Sequence, residues 1–433
     1  MINVLIVGSG GREHALGWKL SQSEHIKKIL FAPGNAGTLH NVKIQTSEID
    51  KLKIFAKQND CFTIVGPECP LANGIVDSFV EDELEIFGPT KSAALLESSK
   101  GFAKQFMHEN GIPTPRFEIF SDAEKAKDHV TKQKSDLIIK ADGLASGKGV
   151  VICNNSRQAI EAIDNIMVKK QFGRAGDSIV IEERLSGEEC SFIVICDGKT
   201  IVPLSSSQDH KRIFDNDKGP NTGGMGSYSP TPLVDEDLYD TIMNQIMQPV
   251  VKGMKERGNL FKGFLYAGIM VEQETKKPYV LEFNARMGDP ECQSIVMRME
   301  SDLFKYLESA SHEKLDSMPP IEWKNKFAVC VIMASRGYPG KYAQGHPISG
   351  LNHKFGNDVM IFHSGTRLDI KNRILTSGGR VLGVTALGCT IRKAVNNAYS
   401  AVQRISWGTN DHYYRKDIAM RYSNVDKQAY CFR

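Results

Sequence analysis

The chain has 433 residues, with 54 lysines and arginines against 51 aspartates and glutamates, a net charge of only +3. Hydrophobic residues make up 41% and charged residues 24%, the balance of an ordinary globular protein with length for roughly two to four domains. This argues against a dedicated nucleic-acid binder, which usually carries a clustered basic stripe; no apolar run reaches the ~18 residues of a membrane span, so neither nucleic acid nor membrane is an expected partner.

Nine cysteines, at positions 61, 69, 153, 190, 196, 292, 330, 389 and 431, form no CxxC pair and stand at no zinc-ligand spacing with histidine. The expectation is buried thiols in a reduced, cytoplasmic compartment. The opening MINVLIVGSGG lacks the basic flank and longer apolar run of a signal peptide and reads as a first strand.

Residues 2–7 run as a strand into GSGGREHAL, Gly8 to Leu16. A glycine turn between strand and helix can cradle a phosphate with backbone N–H groups; a plain tight turn is the competing reading. As a dinucleotide fingerprint it falls short, because Glu13 holds the third glycine position of GxGxxG. The next strand, KILFA, ends in APGNAG instead of the acid that would hold a ribose 2′-hydroxyl, which argues against NAD. CFTIVGPECPL (61–71) and LEIFGPT (84–90) continue the alternation, predicting a doubly wound parallel sheet whose strand-end loops meet in one crevice.

A helical pattern from Ser92 to Asn110 closes at Gly111 and carries Lys100 and Lys104 on one face, ordinarily a solvated one. Ser121 to Glu124 (SDAE) reads as a capping-box start for a helix to about residue 133. In LIIKADGLASGKGVVIC, Leu137 to Cys153, two strands flank a loop with Gly143, Gly147 and Gly149, Lys140 at its entry and Lys148 inside it. It fails as a Walker A loop, since Gly149 replaces Ser/Thr and a strand follows; a glycine-rich hairpin with lysines suits a lid over a triphosphate. Residues 177–198 read as strand, connector (ERLSGEE) and strand, with Glu182, Glu183, Glu188 and Glu189 near the connector. Residues 205–230 read as a long polar loop, in which Asp209, His210, Lys211 and Arg212 with Thr222-Gly223-Gly224 suit a small zwitterion or phosphate; a flexible surface loop is the competing reading. His210 is expected to be structural more than a general base.

Helical text follows from Asp235 to about Glu256, then a strand at 263–273. In YVLEFNARMGDPE, Tyr279 to Glu291, period-two alternation puts Glu282 and Asn284 on one strand face, a hard-oxygen pair suited to Mg²⁺. A salt-bridged strand end is the alternative reading of the same spacing. Residues 316–323 look like a linker, and the last hundred residues give short strands and a helix near 391–404, with no catalytic constellation.

Together these stretches resemble the ATP-grasp carboxylate–amine ligases, and among them the glycinamide ribonucleotide synthetase (phosphoribosylamine–glycine ligase) family. The resemblance spans GSGGREHAL, APGNAGT, TIVGPECPL, IFGPT, IKADGLASGKGVV, IEERLSGEE, SQDHKR, GPNTGGMGSYSP, GFLYAGIM, EFNARMGDPE and GGRVLGVTALG; GPNTGGMG and RMGDPE are the most specific. Met287 departs from the family's usual aromatic residue. The resemblance implies an α/β chain of three parts: a Rossmann-like domain (1–100), an ATP-grasp domain (101–316, lid about 121–190) and a small C-terminal α+β domain (324–433). It implies a monomer that uses ATP, with Mg²⁺ or Mn²⁺, to join glycine to 5-phosphoribosylamine. By position, Glu282 and Asn284 match the metal ligands, and Lys104 and Lys140 the lysines on the ATP phosphates, with the Gly143–Gly149 loop as lid and Gly147, Lys148 and Gly149 at the ATP. Glu182, Glu183 and Leu185 match the adenine hinge, Glu188 or Glu189 the ribose carboxylate, and Arg286 the arginine at the moving phosphoryl group. Gly10, Gly11, Asn35, Gly37, Pro67 and Glu68 would hold the phosphoribosylamine, and Asp209 and Asp289 the glycine ammonium. Another ATP-grasp ligase, or a non-catalytic nucleotide-binding module, are the competing readings.

Overall fold

The computed structural model describes residues 1–133, 135–145, 149–409 and 411–422; Gly147 and Lys148, expected to belong to the lid, lie outside the described residues. The N-terminal sheet is parallel, in the order Ile26–Pro33, Ile2–Gly8, Cys61–Val65, Ile86–Phe87. Its chain order reverses between the strands Ile2–Gly8 and Cys61–Val65, so the loops after Gly8 and Val65 open into the same crevice.

The middle of the chain builds two antiparallel sheets. One runs Ile201–Pro203, Gly187–Asp197, Lys262–Glu272, Pro278–Asn284. The other, Phe117–Phe120, Ile179–Glu183, Leu137–Ala141, Val150–Cys153, has its own core with the helices Ala123–Lys132 and Ser156–Ile163. That separate core makes this sheet and its two helices a unit, the segment expected to form the lid, which continues into the rest of the chain after Glu183. The C-terminal sheet, Val359–His363, Arg380–Gly388, Phe327–Ser335, packs on the helix Ile391–Val402.

Three local expectations differ from the structure. The polar loop 205–230 is four short strands, of which Gly226–Ser229 pairs with Phe327–Ser335 and so extends the C-terminal sheet. Apolar periodicity misses it because the buried side chains are hydroxyls with partners: Ser227 Oγ donates to the Pro290 carbonyl and Ser229 Oγ to that of Ser206, both at 2.8 Å. The helical stretch from 92 is two helices, Leu95–Ser98 and Lys100–Glu109, because Ser99 is extended (φ −131°, ψ 114°) and caps the second through its hydroxyl. The lid helix is capped by Asp122, not Ser121: its carboxylate accepts from the N–H groups of Glu124 and Lys125. Gly111 has φ +64°, the left-handed residue expected to end the helix. Met287 is 1% exposed in the same apolar cluster as Phe264 and Cys292, a gap its flexible side chain fills.

Arg298, fully buried at the end of the helix Glu291–Arg298, ties the sheet of Gly187–Asp197 and Lys262–Glu272 to the C-terminal part of the chain. Its Nε donates to the Lys326 carbonyl (2.7 Å), its Nη1 to the hydroxyls of Ser205 and Ser229, and its guanidinium lies 5.6 Å from the Trp323 ring. Arg298→Met keeps the apolar stem and orphans these acceptors, so the urea midpoint is expected to fall by the equivalent of roughly 2–4 kcal/mol.

Candidate active site

The strand Pro278–Asn284 carries a bulge at Leu281, where its register with Lys262–Glu272 steps from Gly268 opposite Glu282 to Ile269 opposite Val280. Glu282 and Asn284 share one face beyond the bulge, and the Leu281 carbonyl accepts from Lys140 Nζ at 2.9 Å. Glu282 pairs with Lys100 at 3.2 Å. Burial opposes its charge, but Lys100, Lys211 and Lys140 outweigh that and hold its carboxyl well below the usual range. The Asn284 amide oxygen accepts from Arg286 Nη2 at 3.1 Å and keeps its second lone pair. Arg286 is gripped by Glu97 at 2.7 Å and Glu68 at 3.2 Å.

One cavity of about 1050 Å³ runs from this strand across all three parts of the chain. On the lid side Glu182, 2% exposed, is shared by Lys140 (2.9 Å) and Lys104 (3.1 Å). Lys140 lines the cavity; Lys104 sits behind it, and burial brings its ammonium down to about 7 despite Glu182. Ile138, Ile152, Leu185, Met270 and Leu281 line the same end, an apolar slot of the kind a purine ring fills, and Gly149 stands in its wall. Glu183 turns toward Arg116, with 2.7 Å between carboxylate and guanidinium. Glu188 accepts from Arg421 (2.7 Å) and the Tyr422 hydroxyl (2.8 Å), while Glu189 pairs with Lys211 (2.7 Å).

At the other end stand Asp209, Glu291, Asp289 and the N-terminal loops. Asp209 has no ion-pair partner among the described residues; burial, with Glu291, Glu189 and Glu282 nearby and Lys211 opposing, pushes its carboxyl up to about 8. Glu291 accepts from the Tyr266 hydroxyl at 2.7 Å and from Ser191 at 3.1 Å. Asp289, by contrast, is occupied: Gln293 Nε2 donates to it at 2.9 Å and Arg380 lies 3.5 Å away. Burial works against its charge, but Arg380 and Arg12 hold its carboxyl below the usual range.

Of the residues expected to hold the amine substrate, Pro67 and Glu68 line the cavity; Gly10, Gly11, Asn35 and Gly37 stand outside its lining. The Gly10 N–H is taken by Glu13 at 2.5 Å, so the residue that breaks the dinucleotide fingerprint also occupies an anion-binding donor of the turn. Asn35 brackets two loops, donating to the carbonyls of Ser9 and His363 at 2.8 Å, and the Gly37 N–H donates to its side chain. His210 is half-buried, and the desolvation of its ring pushes it down to about 4, a neutral structural histidine. Cys292 is buried, its thiol well above the usual range and donating to the Arg12 carbonyl, which removes it as a nucleophile.

Sequence reasoning missed Glu97, Arg12, Arg380 and Arg421, which all line the cavity, and set Lys100 aside. For Lys100 the signal was its i,i+4 spacing to Lys104; Arg380 stands in GGRVLGVTALG, a stretch of the resemblance to which no site role was attached, and Arg421 stands in none of the quoted stretches. The expectation of no catalytic constellation there is corrected to this extent: the C-terminal domain supplies part of the cavity wall.

Glu282 and Asn284 offer a divalent cation one carboxylate and one amide oxygen. Among the described residues no group of three or more His, Cys, Asp or Glu could hold a metal unaided. That donor set fits Mg²⁺, which takes much of its shell from water and phosphate oxygens.

Sequence profiles of the phosphoribosylglycinamide synthetase N domain, ATP-grasp (A) domain and C domain match residues 2–97, 98–292 and 328–421. A phosphoribosylamine–glycine ligase of Neisseria meningitidis serogroup B is 48% identical over 96% of this chain and 99% of its own. One of Pseudomonas aeruginosa is 46% identical over 97% and 98%. The crystal structure of the phosphoribosylamine–glycine ligase of Thermotoga maritima superposes with a TM-score of 0.83 at 33% identity, covering 96% of this chain and 100% of that one. Biotin carboxylase of Campylobacter jejuni shares the fold alone, with a TM-score of 0.73 at 15% identity over 97% and 94% of the two chains. The chain belongs to the phosphoribosylglycinamide synthetase family.

Proposed function

We propose that the protein is an ATP-dependent ligase that joins glycine to 5-phosphoribosylamine, giving glycinamide ribonucleotide, ADP and phosphate in purine biosynthesis. The observation that carries this reading is the continuity of the cavity: an apolar slot with lysines at one end, unpaired acid at the other, and Glu282, Asn284 and Arg286 between them. We take it to act on small molecules, as a monomer, in the cytoplasm. The unpaired state of the eight described cysteines supports the last point.

A carboxylate is a poor acyl donor because its leaving group would be oxide. A glycine carboxylate oxygen attacks the γ-phosphorus of ATP, the bond to the bridging oxygen of ADP breaks, and glycyl phosphate forms. The amine nitrogen then attacks the carbonyl carbon, the C–O bond to phosphate breaks, and phosphate leaves with the electron pair while the nitrogen loses a proton. Such transfers need positioning and charge neutralisation more than a covalent nucleophile. Glu282 and Asn284 would hold Mg²⁺ or Mn²⁺, which when bound screens the phosphate charge. Lys140 and Lys100 neutralise phosphate oxygens, with Lys104 supporting Lys140 through Glu182. Leu185 and its apolar neighbours seat the adenine, and Glu188 or Glu189 the ribose. Arg286, held by Glu68 and Glu97, faces the phosphoryl group in transit. Asp209 receives the glycine ammonium; Asp289, already engaged by Arg380 and Gln293, supports that end. Pro67 and Glu68, with Arg12, face the phosphoribosylamine. Closing of the lid keeps water from the acyl phosphate.

ADP release should require glycine and phosphoribosylamine together; faster turnover with another amino acid or amine would replace this reading with a different ATP-grasp ligase. Glu282→Ala is expected to abolish turnover, by ~10³-fold or more, with a melting temperature near that of the parent. A large fall in melting temperature would instead favour a salt-bridged strand end.

Lys140→Ala should weaken ATP binding by about tenfold or more in calorimetric titration, while Lys104 remains to neutralise Glu182 and preserve the fold. Unchanged ATP affinity would remove Lys140 from the phosphate site. Asp209 gives a pH prediction. Below about 8 its buried carboxyl holds a proton that an ammonium must displace. Hence kcat/KM for glycine should rise with pH and level off above about 8, and Asp209→Asn should abolish both the rise and most of the activity. A profile flat from about pH 6 to 8.5 would place the ammonium elsewhere.

A further inference from the structure

We infer that Arg380, from the C-terminal domain, is a positioning residue for the amino-acid end of the cavity: its guanidinium ties the 222–224 loop to the Gly288–Pro290 turn and thereby sets Asp209 against Glu291. The inference rests on the proposed ligase reading and deepens it.

Arg380 begins the strand Arg380–Gly388 and reaches into the cavity wall. Its Nη1 donates to the carbonyls of Gly223 and Asp289 (2.6 Å for the latter) and lies 3.5 Å from that of Gly224; its Nη2 stands 3.5 Å from the Asp289 carboxylate. A planar guanidinium holds several acceptors at fixed spacing, which a single ammonium cannot.

The two segments it joins carry the two carboxylates. The 222–224 loop is laced to the Asp209 side, where the Thr222 N–H donates to the Lys211 carbonyl and the Met225 N–H to that of His210, both at 2.8 Å, and Asp209 pairs with Ser227. Asp289 stands two residues before Glu291, the first residue of the helix Glu291–Arg298. Glu291 raises the Asp209 carboxyl through space, so the relative placing of these segments sets how strongly that end of the cavity attracts a cation.

The glycine pair of GPNTGGMG is explained by the same approach. A Cβ at Gly223 would stand 3.1 Å from the Arg380 guanidinium carbon. Gly224 has φ +106°, and a Cβ there would come within 2.5 Å of Pro290 Cδ. Tyr338 of the same domain adds a second tie, its hydroxyl accepting from the Gly223 N–H at 3.0 Å. Arg380 thus acts through the backbone it holds.

The test is steady-state kinetics of the full-length enzyme with Arg380→Ala, Arg380→Lys and Gly223→Ala, varying glycine and ATP separately, alongside calorimetric titration of ATP. A misplacement near 1 Å costs on the order of 10²-fold, so Arg380→Ala should lower kcat/KM for glycine by about that factor. The KM and Kd for ATP should stay within about twofold, Arg380→Lys should recover only part of the loss, and Gly223→Ala should move glycine kinetics in the same direction. Glycine kinetics unchanged in Arg380→Ala, or ATP and glycine constants rising in parallel, would overturn the inference. If Arg380→Ala does not fold, Gly223→Ala decides by the same criterion. Parent enzyme that releases ADP without requiring glycine would overturn the ligase reading itself, an outcome distinct from any difference among the variants.

Discussion

A buried carboxylate must find positive charge, and in this protein that constraint joins the parts of the site. Glu182 lies in a lid strand and is shared by Lys140, from the neighbouring lid strand, and Lys104, from the helix before the lid. Lys140 then reaches the bulged Leu281 carbonyl of the Glu282 strand. One acid therefore sets the strand pair Leu137–Ala141 and Ile179–Glu183, the helix Lys100–Glu109 and the Glu282 strand relative to one another. Buried pairs add little net stability, because desolvation offsets most of the attraction; what they supply here is a shared partner, since both lysines meet the same carboxylate.

The same constraint runs through the rest of the cavity. Glu282 is charged because Lys100 leads a helix that starts anew at Ser99, and Arg286 is paired from two sides by Glu68 and Glu97. Asp289 has Gln293 and Arg380, Glu291 has Tyr266 and Ser191. Asp209 is the exception, an acid that forms no ion pair among the described residues, although Lys211 is near enough to oppose the rise of its carboxyl. In a site so thoroughly paired, it is the group that a ligand's ammonium would complete.

The N-terminal turn gives a contrasting lesson. Its glycines suggested a phosphate cradle, yet the Gly10 N–H is engaged by Glu13, and Gly11, Asn35 and Gly37 stand outside the cavity lining. The turn places Arg12 on the wall instead. A glycine motif in a sequence marks where backbone comes close to something, and here that something includes the protein's own carboxylate.

The sequence by itself determined the local elements and the chemistry they carry: the parallel alternation of the first domain, the lysine hairpin of the lid, and the strand that presents Glu282 with Asn284. Each is a short-range pattern, set by side-chain period or turn residues within about a dozen positions. The family resemblance added the order of the domains and the reaction. Tertiary structure alone decided which charges meet. Lys104 retreats behind Lys140 while Lys100 comes forward, and the polar 205–230 segment becomes strands. Arg380 and Arg421 arrive from a domain whose own sequence showed no site. Those outcomes depend on contacts between residues tens to hundreds of positions apart, and no periodicity encodes a partner at that range.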